Sequence, residues 1–98
     1  CPWDREQTHL SLRSTLLEET YETLTAVDEE DVESLQEELG DLLLQIVMHA
    51  QIAVEAAEFS LSDVIATIDA KINRRHPLVW GDVVVENAEQ VLTLWEAL

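Results

Sequence analysis

Apolar residues recur along the first third of the chain at the spacing of an α-helix. Leu12 and Leu16 lie one turn apart, and Leu24 and Val27 continue the series. This period predicts a helix over about residues 9–27, because side chains three and four positions apart share one face of a helix.

A second, longer helix is predicted from about Asp31 to Ala57. Its middle, from Leu42 to Met48, is apolar on almost every side and is interrupted by Gln45 alone. A helix that is apolar all round must be covered all round, and 98 residues in three or four helices supply too little material for that. We therefore expect a homo-oligomer, most simply a homodimer, in which a second copy supplies the cover.

A third helix is predicted to begin near Ser60. Ser60 followed three residues later by Asp63 resembles a capping box, and the helix extends to about Arg75. Pro77 and Gly81 then end the helical pattern. The residues expected to form its buried stripe are Val64, Ile65, Ile68 and Ile72.

The whole pattern predicts an all-α fold. Residues 82–86 form the only β-like run, which is too short to pair alone, and a last short helix is expected over residues 88–98. Gly and Pro together number four, which favours long helices over a loop-rich design. We expect a helical bundle of about four helices that is completed by dimerisation.

The length of 98 residues suits a single domain over residues 1–98. Because the chain begins at Cys1 rather than at a methionine, we expect it to be a fragment of a longer protein. The sequence shows neither a signal peptide nor an apolar stretch long enough to span a membrane, and its single cysteine cannot form an internal disulfide. These features predict a cytoplasmic protein.

The net charge is −16, from 21 acidic and 5 basic residues. Nucleic acids and anionic membranes bind positive protein surfaces, so the charge balance argues against both as partners. High solubility is one explanation of so much negative charge, and attraction of divalent cations is another.

Two acidic clusters lie inside the helix-forming sequence. The first holds Glu18, Glu19 and Glu22, and the second holds Glu38 and Asp41. Acidic pairs on a helix are usually a solvated face, but here no lysine or arginine lies near either cluster to neutralise it. Carboxylates gathered in this way repel one another unless a cation is present, and hard oxygen ligands suit Mg²⁺ or Mn²⁺. The pattern predicts a metal site and phosphate chemistry.

The basic residues are also concentrated. Lys71, Arg74 and Arg75 fall within five residues, which suggests a ligand with phosphate groups. The simpler explanation is positive charge at the end of a helix, where it stabilises the helix dipole. Of the other polar residues, His9 and His49 are expected to be hydrogen-bonded structural residues rather than metal ligands.

Four segments together resemble the MazG family of nucleoside triphosphate pyrophosphohydrolases, within the all-α NTP pyrophosphatase superfamily. That family carries an EExxE motif followed by ExxD, which stand here at residues 18–22 and 38–41. The opening CPWDREQTH and the string KINRRHPLVW at residues 71–80 resemble two further family segments. The resemblance covers almost the whole chain, although Leu78 and Trp80 stand where the family often has His and Phe.

The resemblance implies Mg²⁺-dependent hydrolysis of nucleoside triphosphates between the α and β phosphates. The oxygen ligands also suit Mn²⁺ as a substitute ion. The products would be a nucleoside monophosphate and pyrophosphate, and NTPs, dNTPs and aberrant nucleotides are all candidate substrates. It also implies a helical dimer. The metal ligands implied are Glu19, Glu22, Glu38 and Asp41, and the expected substrate-binding residues are Lys71, Arg74, Arg75 and Trp95. Glu18 or Glu19 is expected to be the catalytic base, and the sequence leaves that choice open.

Three alternatives stay open at this point. A di-iron or di-manganese carboxylate bundle uses Glu-x-x-His on two helices, a pattern that the chain lacks. A non-catalytic acidic helical adaptor would give the basic cluster at residues 71–75 no role. A nucleotide-binding regulatory module would have the same fold and bind the same ligand but would not hydrolyse it.

Overall fold

The computed structural model describes residues 6–75 and 88–97, and they form four α-helices. The helices are α1 (Arg13–Asp28), α2 (Val32–Glu55), α3 (Leu61–Arg74) and α4 (Ala88–Ala97). Within these two described ranges there is no strand, so the predicted all-α fold is confirmed. The predicted β-like run at 82–86, and the helix-ending Pro77 and Gly81, lie outside the described residues.

The chain divides into two compact units, residues 1–61 and residues 62–98. In the first unit α1 and α2 pack against each other as a helical hairpin. The second unit contains nearly all of α3 and the whole of α4. The prediction of one domain over residues 1–98 stays a prediction.

The first helix begins four residues later than the pattern predicted, at Arg13 rather than His9. The cause is local hydrogen bonding by Thr8 and Ser11. The Thr8 amide donates to Ser11 Oγ at 2.8 Å, and the Ser11 amide donates to Thr8 Oγ1 at 3.0 Å. This exchange stabilises a separate turn before α1, and the turn directs Leu12, which is fully buried, into the interior of the hairpin.

A tight three-residue connection joins α1 to α2. Glu30 adopts a positive φ of 54°, and the amides of Glu30 and Asp31 donate to the carbonyls of Val27 and Ala26, which is the Schellman pattern of a helix end. Asp31 then caps α2, because its side chain accepts hydrogen bonds from the Ser34 amide at 3.1 Å and the Ser34 hydroxyl at 2.7 Å. These bonds to the carboxylate lower the pKa of Asp31.

Small residues form the centre of the hairpin, with Ala26, Ala50 and Ala53 buried beside Leu12. Large apolar side chains on the outer faces are left uncovered in the single chain; Leu43 of α2 is 58% exposed. None of the described helices is long and apolar enough to span a bilayer.

The predicted buried stripe of α3 is wrong for the single chain. The side chains of Ile65, Ile68 and Ile72 are all exposed, and Val64 is half-buried. The residues do recur on one face of the helix, so the period was read correctly. An amphipathic pattern marks which face an element can bury, but burial itself requires a neighbouring surface.

Candidate metal centre

The hairpin brings the two acidic motifs face to face. Glu19 and Glu22 lie on α1, and Glu38 and Asp41 lie on α2. Each of the four offers one carboxylate oxygen, and these four oxygens all lie within 4.8 Å of one another. Because the chain reverses at residues 29–31, positions 22 and 38 lie at one level of the hairpin, and positions 19 and 41 lie one turn further from the reversal.

The environment of the cluster disfavours charge on its carboxylates. Burial raises the pKa of Glu19, and the negative charges of Glu22, Asp41 and Glu18 raise it further. The pKa of Glu38 is raised from its ordinary value of 4.5 to about 7, first by burial and then by its hydrogen bond with Glu22 and by neighbouring carboxylates. Every cause acts in the same direction on these two groups, so no cationic side chain among the described residues lowers the pKa of Glu19 or Glu38.

Two buried oxygens of the cluster, Glu19 Oε2 and Glu38 Oε2, have no hydrogen-bond partner among the described residues. An unpaired buried carboxylate oxygen is costly in free energy. A bound divalent cation removes that cost, and carboxylate oxygens are the donors that Mg²⁺ and Mn²⁺ take from proteins. Opposite ligands of one Mg²⁺ lie about 4.2 Å apart, so a cluster within 4.8 Å needs little contraction to fit such an ion.

Glu18 lies outside the set of four. Its side chain is exposed, and it lines a groove beside the cluster, where Glu22 and Glu38 form part of the same wall. Tyr21 and Thr25 also line this groove. Glu18 is therefore placed next to the four carboxylates without converging on their centre.

The predicted substrate-binding residues belong to the second unit. Lys71 and Arg74 lie in the last turn of α3, Arg75 follows directly, and Trp95 falls within α4. Lys71 and Arg75 are half-buried, and Arg74 is exposed. Their roles stay predictions.

Two histidines form a polar contact further along the hairpin than the acidic cluster. The Nδ1 atoms of His9 and His49 lie 2.7 Å apart, so the predicted hydrogen bonding of both residues is confirmed. Gln45 lies one turn of α2 before His49 and is only 5% exposed. Nothing in the sequence indicated that His9 would meet His49.

The comparison with protein families agrees with this geometry. The model of the MazG nucleotide pyrophosphohydrolase domain matches residues 7–80, a range that contains both acidic motifs. The chain belongs to this family. Its hairpin therefore carries the EExxE and ExxD motifs of a MazG domain, and these motifs supply all four residues of the carboxylate cluster.

Curated MazG relatives are similar over most of this chain. A nucleoside triphosphate pyrophosphohydrolase of Escherichia coli (strain K12) is 48% identical over 98 residues, which is 100% of this chain and 37% of that protein. The nucleoside triphosphate pyrophosphohydrolase/pyrophosphatase MazG of Thermotoga maritima is 55% identical over 82 residues, 84% of this chain and 32% of that protein. The chain thus spans well under half the length of these relatives.

A solved structure shares the fold. The crystal structure of a mazG-related protein from Thermotoga maritima superposes with a TM-score of 0.73 at 28% sequence identity. The superposition covers 99% of this chain and 84% of that chain. The similarity extends over the helical fold as a whole.

Proposed function

We propose that this MazG domain hydrolyses nucleoside triphosphates between the α and β phosphates, with Mg²⁺ as cofactor, to a nucleoside monophosphate and pyrophosphate. The observation that carries the proposal is the convergence of four carboxylate oxygens within 4.8 Å. The names of the curated relatives, nucleoside triphosphate pyrophosphohydrolases, support the same reaction.

The acidic cluster has the role of holding the cation. Glu19, Glu22, Glu38 and Asp41 supply the ligands, with Mn²⁺ as a substitute ion. When bound, Mg²⁺ neutralises phosphate charge and lowers the pKa of water in its coordination shell. Among the described residues no cationic side chain lowers the pKa of Glu19 or Glu38, so a divalent ion would supply the positive charge that the cluster lacks.

Glu18 is the better candidate for the general base. A base must have a free carboxylate within reach of the attacking water, and Glu19 is committed to the set of four. Glu18 is exposed and lines the groove beside that set. In this scheme Glu18 takes the proton of a water molecule that attacks phosphorus in line with the leaving pyrophosphate.

The basic cluster and Trp95 bind the substrate in this proposal. Lys71, Arg74 and Arg75 carry three of the five positive charges of the chain, and arginine and lysine are the side chains that pair with phosphate. Trp95 contacts the nucleoside. The strongly acidic balance leaves nucleic acids and membranes out of the set of partners, and the domain acts in the cytoplasm.

The active form is proposed to be a homodimer. The outer faces of α1 and α2 expose large apolar side chains, among them Leu17, Leu43 and Leu44. Soluble monomers rarely expose large contiguous apolar patches, and this many exposed large apolar side chains favour an interface. A second copy of the chain offers the same surface in return, as a two-fold interface requires.

Pyrophosphate release from a panel of NTPs, dNTPs and oxidised nucleotides tests the reaction. We expect release with Mg²⁺ and none with a chelator. Glu38→Ala should abolish release, whereas Glu37→Ala, a neighbouring exposed glutamate on α2, should leave it nearly unchanged. Tight nucleotide binding without release by the wild-type domain would instead show a regulatory module and overturn the proposal.

A further inference from the structure

The His9–His49 contact has the geometry of one shared proton. The ring planes are parallel within 3°, and the ring centres are 5.0 Å apart. The separation of the ring centres equals the 2.7 Å between the two Nδ1 atoms plus the distance from each ring centre to its own Nδ1. Both nitrogens therefore lie on the line between the ring centres, and the rings meet edge to edge in one plane.

The surroundings of the pair decide which histidine donates. His49 Nε2 is buried and has no hydrogen-bond partner within the part of the chain that the structure describes, whereas His9 is exposed. A buried N–H without an acceptor costs free energy, so the favoured tautomer leaves His49 Nε2 unprotonated. His49 Nδ1–H then donates to His9 Nδ1, and His9 keeps its own proton on Nε2, towards water.

The pair closes the hairpin at the end opposite the turn. The connection at residues 29–31 joins α1 to α2 at one end, and the bond from His9 to His49 joins the turn before α1 to α2 at the other. His49 follows Asp41 by eight residues, or roughly 12 Å along α2. The four carboxylates lie between these two points of closure.

We propose that His9 and His49 are positioning residues, whose hydrogen bond holds the open end of the hairpin against carboxylate repulsion and keeps the four acids at the spacing a divalent cation needs. The inference rests on the proposed cation site. Packing around the buried Leu12 also opposes separation of the helices at this end.

The charges around the pair are compatible with this role. Among the described residues, the charged residues nearest to it along the chain are Glu6 before the turn, Arg13 at the start of α1 and Glu55 at the end of α2, and all three are exposed. Burial lowers the pKa of His49, and its electrostatic interaction with His9 lowers it further. His49 therefore stays neutral at neutral pH and keeps the proton that it donates.

A double-mutant cycle in the presence of a chelator tests the positioning role without any metal. At about pH 8, His9→Ala should lower the thermal midpoint of the wild-type domain, and should lower it by more in a Glu38→Gln background, because opening of the hairpin then relieves less repulsion. Leu10→Ala, the exposed neighbour of His9, should have the same effect in both backgrounds. An equal loss from His9→Ala in both backgrounds would overturn the inference.

Mn²⁺ affinity, followed by the electron paramagnetic resonance signal of the free ion, gives the second readout. His9→Ala should weaken binding by about threefold or more. His9→Gln, whose amide oxygen can accept from His49, should recover most of the loss, and Leu10→Ala should match the wild type. If His9→Ala binds Mn²⁺ as tightly as the wild type, the positioning role is overturned. If the wild-type domain binds no Mn²⁺, the proposed cation site itself is overturned.

Discussion

Glu38 lies among three other carboxyl groups, and it hydrogen-bonds with Glu22 across the hairpin. Two carboxyl groups form such a bond only when one of them holds a proton and donates it. With a pKa of about 7, Glu38 is the group best suited to hold that proton near neutral pH. A divalent cation must displace the proton, so cation affinity should rise with pH across this range.

The raised pKa of Glu38 predicts a pH-dependent stability difference in the metal-free domain. Since the folded-state pKa of about 7 exceeds the ordinary 4.5, the stability that Glu38 contributes is complete below 4.5 and is lost as the pH rises through 7. Glu38→Gln should therefore raise the thermal midpoint in a chelator at about pH 8 and confer little advantage at about pH 5.

The variant is compared with the wild type at each pH, because other groups also make the stability of the domain depend on pH. Asp31 and His49 have lowered pKa values, so the stability that they contribute is lost in the opposite direction, as the pH falls. Glu37→Gln is the matched control, and it should follow the wild type. An advantage of Glu38→Gln that is constant from acid to alkaline pH would contradict the account.

Contacts between individual side chains could be predicted from the sequence only in part. The metal-ligand set was implied by the family motifs, and the structure brings those four residues together because helix periodicity puts positions three apart on one face. The pairing of His9 with His49 depends instead on where α1 begins and on the register of the hairpin. Neither is encoded in the spacing of the two residues.

At the scale of single elements, two helices end in the same Schellman pattern without glycine. Glu30 follows α1 with a φ of 54°, and Ala57 follows α2 with a φ of 57°. At the second site the amides of Ala57 and Glu58 donate to the carbonyls of Val54 and Ala53. A residue with a Cβ atom is strained in this left-handed conformation.

Ala57→Gly should therefore stabilise the domain, by up to about 1 kcal/mol. Ala56→Gly, one residue earlier and at a φ of −88°, removes a methyl group without relieving strain and should destabilise it. Thermal unfolding of the two variants checks the pair. Equal effects of the two substitutions would show that Ala57 is not strained.

The helix boundaries show why local signals were only partly sufficient. The start of α2 was well predicted, because Asp31 is a strong N-cap and bonds to Ser34. The start of α1 was not, since the apolar period continues through a turn that Thr8 and Ser11 stabilise. The period of apolar residues alone does not distinguish one longer helix from a shorter helix that is preceded by a turn with the same apolar spacing.

At the scale of the whole molecule, the uncovered apolar surface of α2 predicts self-association. Leu43→Glu places a charge on a side chain that is largely exposed in the single chain, so the hairpin should fold while the dimer dissociates. Sedimentation equilibrium should give the mass of two chains for the wild type and of one chain for the variant. Gln51→Glu, which adds the same charge at an exposed polar position of α2, should stay dimeric; a wild-type monomer would contradict the prediction.

A titration with Mn²⁺ at about pH 8, followed by the free-ion resonance signal, tests the divalent-cation site most directly. We expect the wild type to bind, Glu37→Gln to bind equally well, and Glu38→Gln and Asp41→Asn to lose affinity by more than about tenfold while keeping their helical content. Equal affinity in the Glu37 and Glu38 variants would contradict the account, because the convergence of Glu19, Glu22, Glu38 and Asp41 would then have no part in holding the ion.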